Sequence, residues 1–290
     1  MESGGDRRLI RVDAHDDGLN RWEMARLRPA AALAGAIDSY SDYWEVTGGF
    51  TARREMPGIE PVLIINLGEP IGIVGGDGRE IKLGSGEGFA GATHTRSAIS
   101  RSNGAQRGVH VHMPLLTMKR LLGIPLHELA DRAVALGDLG AWGAALTAEL
   151  VEARSPIARA AVLDRHLWAR LADAPEERPE IAHAVAMLAH RPDVRIDALA
   201  RDLGWSRKQL GRRVREATGV GPRLFRRLAR FSRLVARLQR RDTGSWAELA
   251  LDGGWFDQPH MLRDFRDFAG VTPREYLARS MPNMGGVVEG

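Results

Sequence analysis

The 290-residue sequence contains no cysteine. This absence excludes disulfide bonds, zinc sites with cysteine ligands, iron–sulfur clusters and catalysis by a thiol nucleophile. Three further motifs are missing: Gly-x-Ser-x-Gly, the phosphate-binding loop and His-Glu-x-x-His. These motifs carry nucleophilic, nucleotide-dependent and zinc-dependent chemistry. We therefore predict no catalytic residue, no cofactor and no enzymatic activity.

Long apolar runs are also absent. The first residues, MESGGDRRLIRVDAHDDG, contain no apolar core of the length found in secretory signal peptides. No stretch approaches the roughly 20 apolar residues that a membrane-spanning helix needs. We expect a cytoplasmic protein that makes no membrane contact. Apolar residues nevertheless make up 44% of the chain, which is typical of a folded protein with a packed core.

Positive charge is unevenly distributed, although the net charge is only +4. Residues 1–174 contain 20 Lys and Arg against 22 Asp and Glu, whereas residues 175–290 contain 21 against 15. Within residues 201–241 there are 14 basic residues and two acidic ones. Such a block is typical either of a surface that binds phosphate groups or of a solvated helix face.

The first half of the chain has the sequence pattern of β-strands. Apolar residues alternate with polar ones, or form a short β-branched run, in four segments: 43–47, 50–55, 61–67 and 107–113. Gly48-Gly49 separates the first two segments and predicts a hairpin turn between them. Many short strands with glycine turns favour a small β-barrel or sandwich. Residues 1–28 are compatible with either an ordered arm or disorder.

After Pro114 the apolar residues adopt helical spacing, which predicts two or three helices and includes residues 126–133. Residues 172–179 form a short polar linker that contains proline. Beyond it the pattern is helical to about Arg279, and residues 281–286 are predicted to form a frayed tail. We therefore predict an α+β protein with two domains. Residues 1–174 form a β-rich domain that ends in helices, and residues 175–290 form an all-helical domain.

The helical domain contains an internal repeat. Residues 196–205 (IDALARDLGW) match residues 246–255 (WAELALDGGW) with five identities at an offset of 50. After one inserted residue the offset becomes 51, and residues 219–222 align with 270–273. Two copies of one supersecondary unit explain this similarity better than chance does.

Each copy has the pattern of a short helix, a tight turn and a longer helix. Gly204 stands where a helix end requires positive φ, and Ser206 with Gln209 forms a capping box for the next helix. This is the helix-turn-helix unit, whose second helix enters the DNA major groove. Between the copies, Pro222–Gln239 predicts one amphipathic helix of roughly 25 Å. Two recognition helices on one face of B-DNA lie about 34 Å apart, and this length is compatible with that spacing.

Residues 179–279 resemble the DNA-binding domain of AraC/XylS-type transcription regulators. The similarity rests on IDALARDLGWSRKQLGRRV, ATGVGP and WAELALDGGWFDQPHMLRDFRDFAGVTPREYL. The resemblance implies a seven-helix domain with two helix-turn-helix units that read two adjacent major grooves of double-stranded DNA. It also implies a leading helix at about 179–190. In the family, a cupin-like β-domain often precedes this domain and binds an effector or dimerises, and residues 38–171 loosely resemble it.

The resemblance, together with the exposed faces of the predicted helices, identifies candidate DNA-binding residues. They are Arg207, Lys208, Arg212, Arg215, Gln258, Arg263 and Arg266. Arg212 is the strongest candidate because a guanidinium can grip guanine O6 and N7 together. Gly211 departs from a family position that usually carries a reaching side chain. The arginines of the linker helix at 226, 227 and 230 are predicted to be solvated or to face phosphates rather than bases.

The β-rich domain offers weaker candidates. Residues that could line an effector pocket are Trp44, Asn66, His94, His110 and His112. His110 and His112 form the His-x-His pattern of metal-binding cupins, but no glutamate follows them, so we predict no bound metal. We expect a DNA-binding transcription regulator that responds to a small-molecule effector. The alternative is a regulator whose first domain only dimerises or contacts another protein. Homodimerisation and contact with RNA polymerase are further expectations.

Overall fold

The computed structural model describes residues 8–48, 52–191, 193–240, 244–280 and 286–289. In these residues the strands, in chain order, are β1 (Leu9–Asp16), β2 (Asn20–Leu27), β3 (Ser39–Thr47), β4 (Ala52–Glu55), β5 (Val62–Asn66), β6 (Ile71–Val74), β7 (Glu80–Leu83), β8 (Glu87–Gly91), β9 (Ala98–Arg101), β10 (Ala105–His112), β11 (Val134–Ala135) and β12 (Val287–Val288). The α-helices are α1 (Leu115–Leu122), α2 (Ala141–Glu152), α3 (Pro156–Ala172), α4 (Pro179–His190), α5 (Ile196–Asp202), α6 (Arg207–Thr218), α7 (Pro222–Gln239), α8 (Trp246–Asp252), α9 (Gln258–Ala269) and α10 (Pro273–Arg279). The α+β prediction is confirmed.

The N-terminal part is a sandwich of two antiparallel sheets. Within the described residues, the first sheet has the order β1-β2-β3-β10-β5-β8-β11 and the second the order β12-β4-β9-β6-β7. Each face of the first sheet packs against another layer of the molecule. One face carries Tyr40, Leu63 and Val111 and packs against α1 and α3, where Met118 and Leu167 are fully buried. The other face meets the second sheet.

Two strand predictions need correction. The sequence was compatible with either an ordered arm or disorder at residues 1–28. Residues 8–28 form the β1–β2 hairpin, and β2 pairs along β3. The predicted hairpin at Gly48-Gly49 is wrong, because β3 pairs with β2 and β10 whereas β4 pairs with β9 and β12. The chain therefore changes sheets at this point. Alternation shows which face a side chain occupies but not which strand is its neighbour. Gly49 itself lies outside the described residues.

The last described residues, for which the sequence made no prediction, form a strand. Val287 and Val288 pair antiparallel with Arg54 and Arg53 of β4, and Val287 is fully buried. Glu289 forms an ion pair with Arg54. Val287–Val288 is therefore an edge strand of the second sheet, and the predicted tail at 281–286 lies, apart from Gly286, outside the described part. The helical prediction for 126–133 is also wrong, since this segment contains only the 3-10 helix Leu126–Glu128 before β11.

Both ends of the helical domain contact the sandwich. The end of α6 packs against the 3-10 helix Leu126–Glu128, and the backbone of Gly219 lies so close to Leu126 that a β-carbon there would touch its carbonyl oxygen. At the other end, Met56 and Ile59 pack on the core formed by α7, α9 and α10. The Ile59 backbone N–H also donates to Ser232 Oγ at 3.4 Å. The sandwich therefore touches both halves of the helical domain.

Candidate nucleic-acid interface

The two repeats fold into two matching units, α5–α6 and α8–α9. Gly204 and Gly254 have φ of 67° and 78° at the same place in each turn. The following tryptophans donate equivalent backbone hydrogen bonds, from Trp205 to Ala200 at 2.8 Å and from Trp255 to Ala250 at 2.9 Å. Positive φ costs a residue with a side chain about 1 kcal/mol or more, so glycine is favoured at both turns. The repeated sequence therefore encodes a repeated structure.

Side-chain caps define where these helices begin. Ser206 accepts a hydrogen bond from the Gln209 backbone N–H at 3.2 Å, and the Gln209 side chain accepts one from Ser206. In the second unit, Asp257 caps α9 by accepting from the His260 backbone N–H at 2.8 Å. Pro259 then occupies the first turn of α9, where a missing N–H costs little. Each recognition helix thus begins at a fixed residue, and its first turn presents a fixed set of side chains.

Helix α6 separates its apolar and basic residues onto opposite faces. Leu210, Val214 and Ala217 are fully buried. The predicted DNA-binding residues of this helix are exposed: Arg207, Lys208, Arg212 and Arg215. Arg212 forms an ion pair with Glu216 at 2.9 Å, and both side chains remain solvent-accessible. A β-carbon on Gly211 would meet nothing within 4 Å, so steric crowding does not require glycine there.

Helix α9 presents the second set of predicted residues. Met261, Phe265 and Phe268 are buried, whereas Arg263 and Arg266 are exposed and Gln258 is half-buried. These three polar residues line an open groove of about 550 Å³, whose other walls are Trp246, Pro259, Leu262, Asp267, Thr272, Pro273 and Arg274. The groove therefore combines guanidinium groups with the apolar side chain of Leu262, which can meet a thymine methyl group.

A buried carboxylate joins the second recognition helix to the linker helix α7. Asp264, on the inner face of α9, is 3% exposed. It accepts hydrogen bonds from Arg227 at 2.7 and 3.2 Å, from Arg230 at 3.3 Å and from the Trp255 indole at 2.9 Å. Burial raises the pKa of Asp264, but the hydrogen bonds from Arg227 and Trp255 and the two arginine charges outweigh it. The net pKa lies below its ordinary value of 3.8.

The Asp264 cluster corrects the prediction for the arginines of α7. Arg230 is only 8% exposed, so the prediction of a solvated or phosphate-facing group is wrong for it, whereas Arg227 binds Asp264 and keeps 39% of its side chain exposed. Arg226 and Arg233 donate to backbone carbonyls of Val194 and Ala189. Four of the 14 basic residues in the block over residues 201–241 therefore bind groups within the domain. The sequence pattern of α7 gave no sign of this, because the partners lie on other helices.

In the sandwich, the predicted pocket residues do not all meet. His110 and His112 face the space between the sheets, with ring centroids 4.0 Å apart, and His112 Nε2 lies 2.9 Å from Ser41 Oγ. Trp44 lies on the opposite face of the first sheet, near Arg21. Asn66 Nδ2 donates to the carbonyl oxygens of Glu69, Leu83 and Gly84, and His94 follows β8 and pairs its backbone with that of Gly58.

Both histidines are held neutral. Burial, repulsion from the His112 ring when it is protonated, and the positive charge of Arg26 place the pKa of His110 well below its usual 6.5. Burial and Arg26 lower the pKa of His112 to about 4. Across the part of the chain that the structure describes, no three His, Asp or Glu side chains come together as candidate metal ligands.

Comparison with known proteins gives matches for the fold and for the helical domain. The helix-turn-helix domain family model matches residues 181–279. ToxT from Vibrio cholerae, in a 1.65 Å structure, is 11% identical over 90% of this chain and 98% of its own, with a TM-score of 0.50. ToxT from strain O395, bound to (E)-4-(8-methylnaphthalen-1-yl)but-3-enoic acid, is 12% identical over 79% and 94%, also at 0.50.

A third similar structure is an AraC-type DNA-binding transcriptional regulator from Chromobacterium violaceum. It is 27% identical over 35% of this chain and 91% of its own, with a TM-score of 0.32. The search of curated proteins by sequence found no match. None of the helices in the described residues is long and apolar enough to cross a membrane.

The units α5–α6 and α8–α9 have the helix-turn-helix fold, and the family match identifies residues 181–279 as a helix-turn-helix domain of the AraC type.

Proposed function

We propose that the chain is a sequence-specific transcription regulator whose sandwich domain binds a small-molecule effector. The observation that carries this proposal is the direct packing of the sandwich against both helix-turn-helix units. The segment Leu126–Glu128 contacts α6, and Ile59 contacts the core beneath α9. A ligand that alters the sandwich therefore has a physical route to both recognition helices. Such a ligand shifts the equilibrium between a DNA-binding state and a non-binding state of the chain. The size of that shift cannot exceed the difference between the ligand's affinities for the two states.

Seven residues are proposed to contact DNA: Arg207, Lys208, Arg212, Arg215, Gln258, Arg263 and Arg266. Arg212 and Arg263 read bases in two adjacent major grooves, and Arg266 binds phosphate. The exposure of the six basic residues, and the position of all seven on α6 and α9, support these roles. The side chains proposed to hold the effector are His110 and His112, and His94, Asn66 and Trp44 remain weaker candidates. Homodimerisation and contact with RNA polymerase are further parts of this proposal.

The test joins ligand binding to DNA binding in the full-length chain. Compounds are screened by the shift in melting temperature, and those that bind are added to a fluorescence anisotropy titration with a selected DNA site. We expect a compound that raises the melting temperature also to change the Kd for DNA. Ile59→Ala should weaken this coupling while ligand binding persists, and Val12→Ala, at an exposed position on β1, is the matched control.

The alternative function is a sandwich that serves only dimerisation or protein contact. Trp168 on α3 and Val151 on α2 are large exposed apolar side chains, 54% and 49% accessible, and they favour a contact on this side. A chain that dimerises through these helices, yet shows no ligand-dependent change in DNA affinity across the screen, would establish the alternative and refute the effector role.

A further inference from the structure

The linker helix α7 carries six arginines, and they differ in whether the protein itself binds them. Arg237 pairs with Asp252 at 3.1 Å, and the other four that bind groups of the helical domain are Arg226, Arg227, Arg230 and Arg233. The sixth, Arg223, is exposed. Among the residues that the structure describes, its side chain takes part in no hydrogen bond or ion pair. The guanidinium of Arg223 is therefore available to an external partner.

Helix α10 shows the same contrast between a bound and a free arginine. Arg279 donates to the Val288 carbonyl oxygen at 2.6 Å. Arg274, the other arginine of this helix, is exposed and forms no hydrogen bond or ion pair within the described part of the chain. Arg223 and Arg274 each follow the proline that begins their helix. The two helices thus leave one arginine free at the same position.

The internal repeat makes Arg223 and Arg274 equivalent residues, because the offset of 51 that aligns residues 219–222 with 270–273 also aligns these two arginines. The recognition helices before them both end at a glycine of positive φ, 89° at residue 219 and 70° at residue 270. The residue before each proline is extended, with φ and ψ of −71° and 157° at Gly221 and of −79° and 159° at Thr272. The chain therefore turns in the same way after α6 and after α9.

The second unit shows where this position lies relative to the recognition helix. Arg274 lines the open groove of about 550 Å³ together with Arg263 and Arg266, the exposed arginines of α9. Among the described residues that line the groove, the acidic one is Asp267, and it already pairs with Arg227 at 3.3 Å. The groove therefore has an excess of positive charge. By the equivalence of the repeats, Arg223 has the corresponding position beside the exposed face of α6.

A surface of this kind, beside a helix that reads bases, suits the DNA backbone. A guanidinium can bind two phosphate oxygens through parallel hydrogen bonds. Phosphate contacts fix the register and the orientation of a protein on the duplex, but they carry no sequence information. Two equivalent contacts, one from each repeat, would hold both recognition helices in the same orientation toward their major grooves.

We propose that Arg223 and Arg274 are a repeated pair of phosphate-binding residues, one beside each recognition helix, which position α6 and α9 on DNA. This inference rests on the proposed function, because it adds two backbone contacts to the seven DNA contacts of that scheme. Base reading stays with Arg212 and Arg263, and the new pair acts as positioning residues.

The experiment compares variants that each remove one positive charge from α7 or α10. Arg223→Gln and Arg274→Gln are the test variants. Arg237→Gln and Arg279→Gln are the matched controls on the same two helices, since their guanidinium groups are bound within the protein. The Kd of the full-length chain is measured by fluorescence anisotropy at several NaCl concentrations, for DNA selected from a random pool and for an unrelated duplex. The melting temperature of each free variant is measured as well.

Each test variant should weaken binding to both duplexes by about tenfold at low salt, as expected for the loss of one charge-assisted contact. The ratio of the two Kd values should stay that of the original chain, because every sequence presents the same phosphates. The slope of the logarithm of the binding constant against the logarithm of the salt concentration should fall by about 0.9 for each test variant, and by about twice that for the double variant. The controls should keep the original slope, and the test variants should keep the original melting temperature.

Three results would overturn the proposal. An equal loss in all four variants would reflect net charge alone. A changed ratio of the two Kd values would make the arginine a base reader, and a melting temperature lowered by several degrees would make it structural.

The proposed function fails in a different way. A chain that selects no sequence, but whose salt-dependent DNA binding is weakened by both test variants, upholds the phosphate contacts and refutes sequence-specific regulation. A chain that selects a site, and whose Kd and salt slope both test variants leave unchanged, does the reverse.

Discussion

Replacing Asp264 with alanine should destabilise the second helix-turn-helix unit more than any change to the exposed face of α9. The substitution removes the acceptor of four hydrogen bonds from Arg227, Arg230 and the Trp255 indole. Arg230 and Trp255 are 8% and 4% exposed, so both lose a partner in a place that water reaches poorly. Breaking a buried ion pair by removing one member costs about 3–5 kcal/mol.

Asp267 provides the matched control on the same helix. It also pairs with Arg227, at 3.3 Å, but its side chain is 56% exposed. An exposed pair contributes at most about 1 kcal/mol, so Asp267→Ala should change stability little. Asp264→Asn, which keeps the shape and removes the charge, should fall between the two. Urea unfolding of the full-length chain, followed by tryptophan fluorescence, gives the change in midpoint for each variant.

The pH dependence provides an independent check on Asp264. Because its pKa is lower in the folded protein than the ordinary 3.8, its contribution to stability is full above that value. The contribution is lost as the pH falls below 3.8 through the folded pKa. The stability difference between the original chain and Asp264→Asn should therefore shrink below about pH 4. An Asp264→Ala midpoint no lower than that of Asp267→Ala would refute the reasoning.

Three other predictions follow from the same structure. Arg212→Ala should weaken binding to the preferred DNA site by about 1–3 kcal/mol and relax base preference at one position, as measured by competition among site variants; an equal loss on every sequence would exclude base reading. Val287→Asp, which places a charge at a fully buried position of β12, should lower the urea midpoint, whereas Val46→Asp at a 49% exposed position should not. Burial and Arg26 lower the pKa of His112 to about 4 in the folded chain. As the pH drops from 6.5 toward 4, His112 is therefore protonated in the unfolded chain but not in the folded one, and the free energy of unfolding should fall. His112→Gln should flatten that decline.

The helical domain was predictable because its signals are local. Gly204 and Gly254, the capping residues and the buried positions of α6 and α9 all act within one or two helical turns. The repeat doubled each of these signals. The sequence therefore predicted the two units, the linker helix and the exposed faces of both recognition helices.

The sandwich was less predictable because its organisation depends on distant pairs. Strand β10 lies between β3 and β5, and β12 comes from the far end of the chain to pair with β4. Neither pairing has a local signal, and alternation alone placed β3 and β4 in one hairpin. Residues that act through tertiary contacts were missed for the same reason. Asp264 has the position of a core residue in α9, and only its partners on α7 explain a charge there.

The central claim is that α6 and α9 read two segments of one DNA site. The most direct test is selection of double-stranded DNA from a random pool by the full-length chain, by Arg212→Ala and by Arg263→Ala. The account predicts one asymmetric site of about 15–20 base pairs with two preferred segments about one helical turn apart. Each variant should lose preference in a different segment. A single preferred segment, or two variants that lose the same one, would contradict the account.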